Sequence, residues 1–116
     1  MLEQLQRTVD EWNSRSHLLP FLKKGPMVIC IKTEDGVFYI HINNEKVELL
    51  LDETIYPINA ELQGNKVMLQ SLLLGEIKLR QAKASNLISL KSSFRTELYL
   101  ETMFYLVKPY EQVNDL

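Results

Sequence analysis

The sequence predicts an α+β domain: a five-stranded, mainly antiparallel sheet covered on one face by helices. Three observations carry this. Apolar residues recur at helical spacing at the start of the chain, they alternate with period two from Met27 onward, and apolar stretches with helix-cap residues follow the strands. Runs of strands with helices gathered beside them fold as two layers around one core.

Leu2, Leu5, Val9 and Trp12 share one helical face, with Glu3, Gln6, Arg7 and Asp10 elsewhere on the wheel, so a helix is expected over residues 1–14. Asn13, Ser14 and Ser16 weaken its end and Pro20 stops any continuation. Leu18, Leu19, Phe21 and Leu22 read as an apolar connection into the core, and Lys23, Lys24, Gly25 and Pro26 as a turn. Asp35 and Gly36 are a hairpin signal; as the centre of a type I′ turn they set Ile31 against Ile40 and Ile29 against Ile42. Ile29, Ile31, Phe38, Ile40 and Ile42 then share the buried face, while Lys32, Tyr39, His41 and Asn43 share the other. A second turn at Asn43 and Asn44 sets Ile40 against Val47 and Phe38 against Leu49 in a third strand over residues 45–51.

A loop through Tyr56 and Pro57 leads to a short fourth strand around Ala60 and Leu62. Asn65 is a candidate N-cap for an almost wholly apolar helix from Lys66 to Leu74, with Gly75 as its C′ residue. Glu76 to Ala84 reads as a second, weaker helix and Leu87 to Lys91 as a fifth strand. Phe94 to Val107 has room for three turns of helix, although the local alternation of Thr96, Leu98 and Leu100 with Arg95, Glu97 and Tyr99 also fits a strand. The polar residues 110–116, after Pro109, read as a flexible tail.

With 116 residues, 46% of them apolar and 24% charged, the chain is expected to form one domain over 1–116. Thirteen Lys and Arg are interspersed with fifteen Asp and Glu, and no basic block tracks a phosphate backbone, so nucleic acid is not the expected partner. The longest stretches without a charged residue, Gly36 to Asn44 and Val67 to Gly75, fall far short of the roughly 20 residues of a membrane-spanning helix. No continuous apolar segment follows a basic start, which argues against a secretory signal peptide, and a lone Cys30 cannot close an internal disulfide. Both point to a cytoplasmic protein.

Chemistry is sparse. One Cys and two distant His, His17 and His41, give no metal-ligand spacing, and no glycine loop cradles a phosphate, so neither metal nor cofactor is expected. The turn at Asp35 and Gly36 would bring Cys30 opposite His41, a possible nucleophile and base, but no orienting group or oxyanion site accompanies them. Glu97 and Glu101, four apart on the last helix, read as a solvated face rather than an acid/base pair. Lys78, Arg80 and Lys83 form a cluster that could hold an anionic head group, although such clusters are more often a solvated helix face. What stands out is apolar excess: a greasy sheet face and two greasy helices, which either fill a core or line a cavity.

From about Asn59 to Met103 the chain resembles the sterol carrier protein 2 lipid-binding domain. Leu72-Leu73-Leu74-Gly75 is similar to that family's Leu-rich helix end with its glycine, and Ala82 falls at its alanine. Asn86 sits where the family usually has a glycine, Ile88 and Leu90 match its inward strand residues, and Phe94, Leu98, Leu100 and Met103 match its last helix. The helix and meander upstream occur in the same order. Lys78-Leu79 stands where the family commonly has Asn-Pro, and Ser92-Ser93 where it has a Gly-Asp or Gly-Asn turn. Asn at position 86 is among the few residues that accept the left-handed region.

The resemblance implies an apolar tunnel between sheet and helices that sequesters or transfers a long-chain lipid, whether fatty acyl chain, acyl-CoA, phospholipid or sterol, without bond chemistry. Val67, Leu72, Leu73, Ile77, Leu98, Met103 and Phe104 are then the expected lining, Phe38 and Ile40 the floor, and Lys78 and Arg80 the head-group contacts. Transient contact with a membrane surface is compatible with that role, and the oligomeric state stays open. Two alternatives stand beside it: an interaction or structural module with a collapsed cavity, and a small Cys/His hydrolase.

Overall fold

Helix α1 (Leu2–Ser14) buries Leu5, Thr8, Val9 and Trp12. The computed structural model describes residues 1–14, 26–43, 46–52 and 57–106, the side chain of Leu106 apart. The apolar connection through Leu18, Leu19, Phe21 and Leu22, the turn at Lys23, Lys24 and Gly25, residue Asn44, Tyr56 and the tail at 110–116 lie outside these residues. Leu2, expected on the buried face, is 43% exposed. Thr8 takes the fourth buried place instead, its hydroxyl donating to the Gln4 carbonyl at 3.1 Å so that burial leaves it no unmet donor.

The sheet contains β1 (Met27–Thr33), β2 (Gly36–Ile42), β3 (Val47–Leu50), β4 (Ala60–Gly64) and β5 (Ile88–Ser92) in the order β3-β2-β1-β4-β5. β1 and β4 run parallel and the other pairs antiparallel. The first hairpin register differs from the expected one by two residues: Ile31 faces Phe38 and Ile29 faces Ile40. A type I′ turn needs positive φ at both central residues. Glu34 and Asp35 occupy the centre without it, and Gly36, with φ 136°, supplies it one position later. The Thr33 hydroxyl accepts the Asp35 N–H at 2.8 Å, which fixes this turn. The second hairpin is displaced likewise, with Ile42 facing Val47 and Ile40 facing Leu49.

A shift of two residues preserves the alternation of faces. Leu90, Leu62, Ile31 and Phe38 therefore still form one apolar row across four strands, and Ala60, Ile29, Ile40 and Leu49 the next. The first row is buried throughout, as are the first three residues of the second. The opposite face is not wholly polar, for Val28 and Cys30 are each only 1% exposed there. That is the consequence of a central β1, whose Val28-Ile29-Cys30-Ile31 run is apolar on both sides.

Helix α2 (Lys66–Leu73) begins where Asn65 Oδ1 accepts the Met68 N–H at 2.8 Å. It ends at Gly75, φ 77°, where Gly75 N–H reaches the Leu72 carbonyl and Glu76 N–H the Ser71 carbonyl, the two bonds of a Schellman motif. Helix α3 (Leu79–Ala84) is shorter than the helix expected over Glu76 to Ala84, because Glu76 and Ile77 stay in the turn that leaves this motif. Asn86 takes φ 60°, the left-handed conformation expected of it. Helix α4 (Phe94–Leu106) starts on Ser93, whose hydroxyl accepts the Thr96 N–H, so the chain turns here without a glycine. Buried Glu97, Leu100, Met103 and Phe104 recur at helical spacing, and this periodicity prevails over the local alternation.

Two contacts fasten α1 across the molecule. The Asn13 side chain accepts the Val47 N–H and donates to the Val47 carbonyl, both at 2.8 Å, and so covers the free edge of β3. Trp12 Nε1 donates to the Met103 carbonyl at 3.0 Å, one of the last carbonyls of α4, and its ring lies 5.7 Å from that of Phe104.

Candidate functional site: an apolar cavity between two helices

The Schellman turn and the extended backbone of Lys78 carry the chain away from α2 before α3 begins. The gap this leaves against the second half of α4 is a cavity of about 250 Å³. Leu72, Gly75, Ile77 and Leu79 line one side and Phe104, Thr102 and Tyr105 the other, with Lys78, Arg80 and Glu101 supplying charge. Leu72, Leu79 and Phe104 are each no more than 4% exposed and mark its inner end, whereas Lys78, Arg80 and Tyr105 are exposed and mark its mouth. The volume lies just under the roughly 300–1,000 Å³ of small-molecule pockets.

Two ion pairs join α3 to α4 beside this cavity. Arg80 Nε lies 2.6 Å from Glu101 Oε2, and Lys83 Nζ 2.6 Å from Glu97 Oε1, with Glu97 only 6% exposed. Glu97 and Glu101, expected on a solvated face, are thus turned toward Lys83 and Arg80, while Lys78, Arg80 and Lys83 stay exposed, as the solvated-face reading of that cluster expects. A carboxylate this buried needs its cation, since an unpaired one costs several kcal/mol (~3–5). Arg80 is engaged by Glu101, and Lys78 is the cation at the mouth that forms no ion pair among the described residues.

Of the residues expected to line a tunnel, Leu72, Ile77, Phe104, Lys78 and Arg80 meet at this cavity. Leu73 and Met103 are buried in the core instead, and Val67 and Leu98 point outward, 63% and 38% exposed. Phe38 and Ile40 do not form its floor, as α1 packs Leu5, Val9 and Trp12 into the same core cluster. The seam among Met1, Leu5, Ile31, Leu62, Leu69, Leu72 and Leu73 leaves no room for a water molecule. The cavity therefore lies at the helical rim of the core rather than between helices and sheet. Sequence reasoning missed Gly75, Leu79, Glu101, Thr102 and Tyr105 as lining residues. The i to i+4 spacing of Glu101 and Tyr105 was the available signal, but it carries no information about which side α3 would approach.

The pairing of Cys30 with His41 does not form. Cys30 lies opposite Tyr39, and His41 opposite Val28. Burial also pushes the Cys30 thiol above its ordinary range, only partly offset by Lys32 nearby, so the protonated form is favoured. Across the same face Glu61 binds Lys32 at 2.9 Å, with Lys91 at 3.8 Å, and the Lys32 hydrogen bond holds the Glu61 carboxyl below its usual range.

No protein-family model matches the sequence, and no curated protein matches it. Among solved structures the chain is similar to a UbiJ-SCP2 ubiquinone synthesis protein, with a TM-score of 0.70 and 9% identity over 96% of this chain and 89% of that one. Sterol carrier protein domain 2 of Helicoverpa armigera gives a TM-score of 0.71 and 13% identity, covering 90% and 85% of the two chains. Sterol carrier protein 2 of Yarrowia lipolytica, in its apo form, gives 0.61 and 15%, covering 87% and 86%. The chain has the sterol carrier protein 2-like fold over nearly its whole length.

Proposed function

We propose that this protein binds a long apolar chain with an anionic end, sequestering or transferring it without bond chemistry. The observation that carries this reading is the cavity between α2, α3 and α4, apolar at its inner end and cationic at its mouth. The sterol carrier protein 2-like fold supports it, being shared with proteins named for carrying sterols. Burial of a chain contributes roughly 0.8 kcal/mol per methylene, and Lys78 at the mouth offers a charge-assisted bond to a carboxylate or phosphate. Phe94, Leu98 and Tyr105, exposed along one side of α4, give the protein an apolar surface for transient contact with a bilayer.

The seam between helices and sheet, closed even to water, favours one second reading: an interaction module of the same fold that carries no ligand. Native mass spectrometry of the purified protein separates the two. The lipid-binding reading expects a bound species of lipid mass, or its saturable replacement by an added fatty acid; a ligand-free protein that takes up none supports the interaction module.

A further inference from the structure

Leu72 belongs to two spaces at once. It lines the inner end of the cavity, and it also lines the dry seam that runs beneath α2 toward Ile31 and Leu62 on the sheet. Among the described residues no other lines both. The described side chains around the seam are all apolar, so the far side of Leu72 is chemically continuous with the inner end of the cavity and differs only in being filled. A chain whose charged end sits at Lys78 runs inward past Ile77 and Leu79 and meets Leu72, itself 1% exposed, as its end wall.

We infer that Leu72 is the stop that sets how long a chain this cavity accepts. The inference rests on the proposed lipid-binding reading and adds the residue that gives it specificity. With Leu72 in place the cavity of about 250 Å³ takes the polar end and the first part of a chain. Trimming Leu72 joins cavity to seam, and each further methylene that enters tightens binding about fourfold, which corresponds to ~0.8 kcal/mol.

The test is a series of saturated fatty acids of increasing length, titrated by displacement of a fluorescent fatty acid from the wild type, Leu72→Ala and Leu72→Met. In the wild type, affinity rises with length and then levels off. In Leu72→Ala the plateau moves to longer acids, with at least a tenfold gain for acids just beyond the wild-type limit, a gain that loss of fold cannot produce, while Leu72→Met, which keeps the volume, retains the wild-type limit. Uptake by all three proteins with one common length limit overturns the role of Leu72 and leaves the lipid-binding reading standing. No uptake by the wild type at any length overturns both.

Discussion

Tyr99 packs its ring against the core, and desolvation pushes its pKa up to about 12. A solvated tyrosine titrates near 10, so folding favours the neutral phenol. Its contribution to stability is complete below about pH 10 and is lost as the pH rises toward about 12, because the unfolded chain ionises first. The stability difference between wild type and Tyr99→Phe, followed by urea unfolding from neutral pH upward, should therefore shift against the wild type above about pH 10; a difference independent of pH would refute the burial argument. Other single residues differ in how readable they are from sequence. Asn65, Gly75 and Asn86 were legible because each acts on backbone within a few residues of itself. Asn13, which looked only like a helix breaker, closes the edge of β3 through Val47, and Glu97 binds Lys83. Their partners lie 34 and 14 positions away, beyond the reach of spacing rules.

At the level of elements, periodicity and cap residues located every strand and helix described, with a strand left as the alternative for α4, and the register of both hairpins was misplaced by two residues. Periodicity fixes which face a residue takes, whereas register depends on which residue of the turn carries positive φ. Here Gly36 does so at the first position of β2 rather than inside the turn. Helix α3 starts without a side-chain cap. Lys78 occupies its N-cap position and makes no capping bond, while placing a cation at the positive end of the helix. Lys78→Asn should raise stability by about 1 kcal/mol by supplying the cap. The same change removes the charge at the cavity mouth, so it should weaken carboxylate binding while thermal unfolding moves upward. A fall in stability would show that α3 depends on the lysine stem rather than on its cap.

The molecule as a whole places its uneven apolar content in two ways. Most of it fills one core, in which α1 lays Leu5, Val9 and Trp12 beside the sheet face of Ile29, Ile31 and Ile40. Ile77, with the buried Leu72, Leu79 and Phe104, lines a cavity at the helical rim, where the Schellman turn separates α2 from α3. The fold class was readable from the order of periods along the chain, and among the described residues no helix is long and apolar enough to cross a membrane. The position of the cavity was not readable, since an apolar helix face looks the same in sequence whether it meets a neighbour or an open space. Five of the eleven residues expected at the site meet there because they lie at the end of α2, on the connection to α3, at the start of α3 and on the facing part of α4. The claim that this space holds an apolar chain is tested most directly by titrating a fluorescent fatty acid into the wild type and into Ile77→Trp, which fills the cavity from a partly exposed position. The account predicts saturable one-to-one binding by the wild type and at least a tenfold loss in the folded variant. Equal binding by both proteins, or none by either, would contradict it.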